Sequence, residues 1–281
     1  MYIPEKYKQR LIETHKECSD MIESFHNLPD RYVPEPLETA ILVEEHRWFW
    51  KPREIKFVLV AESHAYTDAN EIKVQVNPDK LPKDVPKSIP LNFVRLVYSL
   101  GYGEPDILME PKKIENNAGT NQYVSLFGRL VGIEKRTESM KRLRWKVKVL
   151  QTFKESGVWL LDASLHACYL SSKFKDNPRL DNELVEKIIL ISWKKYVKPI
   201  IDDISIDRNC IWIIGKELHK LIKDNYIFDS NWVYQPNAPI KRNMKDVRLS
   251  ELEKAIKKYC QIPKGRIPVK SILNYIKEKS T

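Results

Sequence analysis

Glycine is scarce in this chain, at eight residues in 281. No apolar run is followed by a glycine-rich loop of the kind that cradles phosphates, which argues against an ordinary nucleotide-binding α/β protein. Nor does any apolar run approach the roughly 20 residues needed to cross a bilayer. The N-terminus, Met1 to Lys6, lacks the basic-then-apolar form of a secretory signal. These absences lead to the expectation of a cytoplasmic protein without a membrane partner. There are four cysteines, Cys18, Cys168, Cys210 and Cys260, and no C-x-x-C pair. A zinc ribbon or a disulfide scaffold would need closer or denser spacing. Buried free thiols are expected, with an iron–sulfur cluster drawn from distant positions as the alternative. No internal repeat or low-complexity segment is present.

Positive charge is plentiful and unevenly placed. From residue 241 to the end there are twelve Lys/Arg against four Asp/Glu, so this stretch carries +8 of the chain's net +10. A second basic cluster, Lys135-Arg136 and Lys141 to Lys148, interleaves cations with Trp145. Localised positive charge is the footprint of a phosphate-backbone partner, although a solvated basic helix face has the same composition.

Apolar runs and helical periods define the organisation. Phe57-Val58-Leu59-Val60-Ala61 runs into Glu62-Ser63-His64, as expected of a parallel strand buried on both faces that delivers polar residues at its carboxyl end. Ligands of open α/β sheets bind at such ends. Val158 to Leu161 followed by Asp162-Ala163-Ser164 repeats the pattern. Cys210 to Gly215 and Trp232 to Tyr234 supply two more strands. Helices are expected over 5–27, 37–47, 91–100, 140–156, 182–197, around 218–222, and near 249–260 and 268–279. His15 falls on the apolar stripe of the first helix and reads as a packed residue. Residues 64–90 are loop, punctuated by prolines, and 103–130 carry no clear pattern. The expected fold class is α/β, a three-layer α/β/α sandwich with a four-stranded, mainly parallel sheet and helical extensions at both termini. The expected divisions are 1–50, 51–245 and 246–281.

The strand ends, taken in order, resemble the uracil-DNA glycosylase superfamily over roughly residues 50 to 245. Ala61-Glu62-Ser63-His64-Ala65 falls where that superfamily has G-Q-D-P-Y, G-E-A-P-G or G-I-N-P-G. Ser88-Ile89-Pro90-Leu91-Asn92-Phe93 resembles its proline-serine loop and following helix. Gly157 to Leu165 is similar to its G-V-L-L-L-N-A-V-L strand, and Ser192 to Tyr196 to a tryptophan-bearing helix before the third strand. Cys210 to Leu218 resembles V-F-L-L-W-G-x-x-A, and Gln235-Pro236-Asn237-Ala238-Pro239 stands where the family has H-P-S-P. The resemblance implies a monofunctional DNA glycosylase that needs no metal or cofactor, acts on DNA as a monomer and flips a nucleotide into a pocket at the strand ends.

The departures from the motifs suggest altered chemistry. Ser63 occupies the position of the water-activating acid, so Glu62 becomes the candidate for orienting water or stabilising a cationic sugar. His64 is the alternative base, or a loop residue bonded to backbone. Asp162 stands for the base-reading Asn. An ionised carboxylate only accepts hydrogen bonds, which suits a cytosine amine better than a uracil oxygen. Asp162 could instead cap the next helix. Ala65 replaces a tyrosine that blocks C5, which would admit hydroxymethyl- or glucosyl-hydroxymethylcytosine, as found in phage genomes. Gln235 replaces a histidine that donates to the leaving base. Tyr66 is a stacking candidate, Asn237 a base or phosphate contact, Ile240 an apolar wedge. Ser88, Pro90, Ser164, Lys241 and Arg242 are candidate backbone contacts. The competing readings are a catalytically weak DNA-binding or lesion-recognition module on the same fold, or a plain uracil enzyme.

Overall fold

In the computed structural model, residues 2–29, 32–119, 121–133, 139–170, 179–226, 228–236, 239 and 241–260 are described. Four apolar runs form one sheet: β1 (Phe57–Ala61), β2 (Val158–Asp162), β3 (Ile211–Ile214) and β4 (Asn231–Val233). All pairings are parallel and the spatial order is β2-β1-β3-β4. Every residue of β1, β2 and β3 is buried, as required of strands covered on both faces. In this order the chain turns one way from β1 to reach β2 and the other way to reach β3 and β4. The carboxyl ends of β1 and β3 therefore flank a topological switch point, where open α/β sheets leave a crevice.

Helices cover both faces, consistent with three layers. Helix α1 (Glu5–Glu23) buries Tyr7, Leu11, Thr14, Cys18 and Ile22 at three- and four-residue steps. It packs on α2 (Leu37–Phe49) and on α5 (Asn182–Ser192), whose N-terminus is capped by the Asp181 carboxylate accepting from the Glu183 N–H at 2.8 Å. A π-helical stretch, Trp193–Val197, leads into α6 (Lys198–Ile204). Pro199 has no N–H and its ring crowds the carbonyl of Lys195. Widening the turn relieves the clash, and Arg10 Nη1 donates to that carbonyl at 3.5 Å. Helix α7 (Lys216–Asn225) lies on β3 and β4. The remaining helices, α3 (Asn121–Leu130), α4 (Ser139–Ser156) and α8 (Arg242–Cys260), group together, α4 on β2 and α8 on β4 and β1. Gly157 ends α4 at φ +82°, and a Cβ there would lie 2.9 Å from the Glu54 carbonyl oxygen.

Among the described residues, the first and last helices both join this core. Leu11 and Ile22 of α1 and Leu252 and Ile256 of α8 are fully buried and share the hydrophobic cluster that holds β1.

The segment 91–100 is not helical. The Phe93 N–H donates to the Val74 carbonyl and the Val76 N–H to that of Leu91, both at 2.8 Å, which draws the start of the segment into an extended bridge. Phe93, Val94, Leu96, Val97 and Leu100 are all buried, so the apolar spacing reflects enclosure on every side. Residues 121–130, which show no sequence pattern, form α3. The first helix ends at Glu23, the last described one begins at Arg242, and the stretch 268–279 lies outside the described residues.

Candidate functional site at the strand tips

Glu62 follows the last residue of β1, and its carbonyl accepts from the Ser164 N–H at 3.0 Å, which ties the ends of β1 and β2. Its carboxylate is 8 % exposed, and one oxygen receives both Arg179 Nη2 at 2.8 Å and Arg179 Nε at 3.3 Å. The same guanidinium lies over the Tyr169 ring, 5.6 Å from its centroid. Tyr169 runs beside Ala65, its carbonyl accepting from the Tyr66 N–H at 2.9 Å. Its phenol receives Gln235 Nε2 at 3.4 Å. Gln235 comes from the loop after β4 and lies against Gly215, which leaves β3 at φ +127°. Tyr123 of α3 packs edge-on to Phe127 at 6.2 Å, and burial pushes its phenol up. Glu62, Arg179, Tyr169 and Gln235 thus form one cluster at the carboxyl ends of the sheet. Its chemistry is that of a carboxylate paired with a guanidinium, an amide donor and one aromatic ring.

Asp162, although opposite Ala61 in register, reaches another neighbourhood. Arg47 Nη2 of α2 donates to its Oδ2 at 2.6 Å, and His64 Nδ1 lies 3.8 Å from the same oxygen. Arg47 also pairs with Glu44, which receives the Tyr196 hydroxyl at 2.8 Å. On its other side His64 Nε2 meets Glu35 Oε2 at 2.9 Å. Glu35 accepts further from the N–H of Thr67 at 2.7 Å and of Ala167 at 2.9 Å. One buried carboxylate, from a segment far upstream, therefore holds both loops that leave β1 and β2. The row Glu44–Arg47–Asp162–His64–Glu35 is closed to solvent throughout.

Burial by itself would depress the His64 imidazole, but the Glu35 carboxylate and then Asp162 outweigh it and push it up to about 9. Burial raises Glu35 and Asp162, yet His64 for the first and Arg47 for the second bring both below their ordinary values. His46 and His166 have no such partner, and burial lowers them to about 4 and about 3. These shifts predict a stability maximum close to pH 6.5. Above it, protonated His64 contributes stability that is present in full below its unfolded value and lost as pH rises toward 9. Below it, the neutral imidazoles of His46 and His166 resist the protonation that the unfolded chain accepts. Between pH 6.5 and 8 the unfolded forms of His46 and His166 lose protons while His64 gives up its contribution, so urea unfolding should show a net loss of about 1 kcal/mol. Above pH 8 the slope should flatten, because burial pushes Lys146 down to about 8 and its deprotonation then favours the fold. Glu35→Gln should abolish the slope between 6.5 and 8; an unchanged slope would refute the assignment to His64.

The other expected site residues are distributed as follows. His64 is held by Glu35 through Nε2, while Nδ1 faces Asp162 at 3.8 Å without a hydrogen bond; the ring is buried between two carboxylates. Asp162 caps no helix; it serves as the counter-ion of Arg47. Ser63 Oγ accepts from the Cys168 N–H at 3.0 Å, and Ser164 Oγ donates to the His166 carbonyl at 2.7 Å, so each braces a loop. Tyr66 is buried against Tyr32 with its hydroxyl on the Val33 carbonyl. His15 is packed, stacked on His166 at 4.3 Å. The Ser88 carbonyl receives the Tyr2 hydroxyl, and Tyr2 packs on Phe49. Ser88 and Pro90 follow Pro86, which with Phe49, Lys56 and Lys154 lines a cleft of about 780 Å³ at the amino ends of the strands. Through Tyr2 and Phe49, Ser88 stands on that amino-end side, away from the Glu62 cluster. Lys241 is exposed at the start of α8; Asn237, Ile240 and the side chain of Arg242 lie outside the described residues.

The basic face of α4 is partly internal. Arg142 grips Glu104 at 2.7 Å and the Gly103 carbonyl at 2.6 Å. Buried Lys146 donates to the carbonyls of Ser99 and Tyr102 at 2.7 and 2.9 Å, and Trp145 is core. Those cations fasten the 99–104 turns. Lys135 and Arg136 lie outside the described residues. All four cysteines are free and buried, and among the described residues no group of three or more His, Cys, Asp or Glu could hold a metal ion. No described helix is long and apolar enough to cross a membrane.

Comparison with protein-family models, curated proteins and solved structures finds no match for this chain.

Proposed function

We propose that the protein is a monofunctional DNA glycosylase, which holds an extruded pyrimidine nucleotide at the strand tips and hydrolyses its N-glycosidic bond. The observation that carries this reading is the meeting of Glu62, Gln235 and Tyr169 at the carboxyl ends of a parallel sheet, Glu62 and Tyr169 joined through Arg179. The order of the motifs that resemble the uracil-DNA glycosylase superfamily supports it. In the proposed reaction, the bond from the sugar carbon to the base breaks and its electron pair leaves with the base. Glu62 faces the cationic sugar and takes a proton from the attacking water. Gln235 exchanges its long contact with the Tyr169 hydroxyl for an oxygen of the departing base, and the Tyr169 ring supplies a stacking face. Being neutral, glutamine supports the departing charge less than an imidazolium would.

For the base we propose a cytosine enlarged at C5, in the setting of defence against phage genomes. Ala65 places only a methyl group beside Tyr169. Asp162 is an acceptor matched to an exocyclic amine, but Arg47 and His64 already occupy it, so Ala65 carries more of this assignment. Single- and double-stranded oligonucleotides containing uracil, cytosine, hydroxymethylcytosine or its glucosylated form test the proposal. Alkali-labile sites should arise at the modified cytosines. A preference for uracil would overturn the base assignment, and no alkali-labile site on any substrate would favour the second reading. That reading is a DNA-binding module of weak catalysis, and the guanidinium lying on Glu62 is the observation that favours it.

A further inference from the structure

Arg179 is the feature of the tip cluster that the proposed reaction does not use. Two of its nitrogens converge on one oxygen of Glu62, a third donates to the Asn182 side chain, and its plane covers Tyr169. Its side chain is still 33 % exposed, against 10 % for that of Glu62, so it is the accessible member of the pair. A guanidinium in this place offsets the negative charge that a cationic sugar needs opposite it. Guanidinium groups also bind phosphate through paired N–H donors, as they bind carboxylate. An extruded nucleotide brings its flanking phosphates to the mouth of the site. Resting on the reading above, we propose that Arg179 is a positioning residue that exchanges Glu62 for a phosphate flanking the extruded nucleotide, so that DNA itself releases the carboxylate. Without DNA the pair holds Glu62 neutralised and the Tyr169 ring covered. No covalent step is involved; one ion pair is replaced by another.

Anisotropy titrations of a short duplex carrying a stable abasic-site analogue, over a series of KCl concentrations, test the exchange. Four proteins complete the comparison: the unaltered chain, Glu62→Gln, Arg179→Gln and the double variant. Arg179→Gln should weaken binding and reduce the salt slope by about 1. Glu62→Gln removes the competitor for the guanidinium and should tighten binding about tenfold in the presence of Arg179 but not in its absence. Arg179→Lys keeps the charge and should restore most of the salt slope, which separates loss of a phosphate contact from misfolding. Equal tightening by Glu62→Gln in both backgrounds would reduce the effect to general electrostatics and overturn the exchange while leaving the glycosylase reading intact. An Arg179→Gln protein with unaltered slope and affinity would overturn it in the same way. Failure of the unaltered chain to bind DNA would remove both.

Discussion

Arg47→Ala should destabilise the protein by about 3–5 kcal/mol in urea unfolding, the cost of stranding buried charges. The guanidinium is 3 % exposed and stands between Glu44 and Asp162, whose side chains are equally enclosed. Removing it leaves two carboxylates in a dry interior whose other cation, His64, is already shared with Glu35. Lysine should not rescue the site, because one ammonium cannot reproduce a fork that reaches both acids. Removing the charges it serves is the informative control. In the triple variant Glu44→Gln, Arg47→Met, Asp162→Asn the loss should be much smaller, since no unpaired charge remains. A loss under about 1 kcal/mol for Arg47→Ala would mean that water reaches the carboxylates and that the row is not a closed network.

Glu62→Gln should lower single-turnover excision by about 10²–10⁴-fold on whichever base the protein accepts, the range expected when a positioned proton acceptor is lost. The amide is nearly isosteric and keeps only a weak, neutral contact with Arg179, so unfolding free energy should fall by no more than about 1 kcal/mol. Loss of activity at nearly unchanged stability is the signature that distinguishes Glu62 from Asp162, where Asp162→Asn acts on the buried charge row and should lower stability. Activity retained within a few-fold in Glu62→Gln would remove the carboxylate from the mechanism.

Much of the frame was legible in the sequence for a simple reason. Strands covered on both faces must be apolar throughout, so Phe57 to Ala61 and Val158 to Leu161 announce themselves, and the polar residues after them mark the tips. The same rule misled at 91–100, where apolar residues are buried because loops close around them. The partners of the tip residues were not legible. Arg47 pairs with Asp162 across 115 positions and Glu35 reaches Ala167 across 132, and no local period encodes such meetings. Faint marks exist. Glu35 sits between Pro34 and Pro36, and Arg47 immediately precedes the aromatic run Trp48-Phe49-Trp50, at a point where a surface cation has little reason to be. Arg179 and Tyr169 carry no comparable sign. Only the fold brings them to Glu62.

Glu35 bears on how this molecule can be divided. The boundary near residue 50, where helices give way to the sheet, looks like a place to cut. Cutting there would remove the carboxylate that pins the turns after β1 and β2, together with the α2 guanidinium that neutralises Asp162. Four strands alone would not keep their tips in place. The first fifty residues are thus part of the site's scaffold, and any recombination or fusion that preserves the tip geometry has to carry them along.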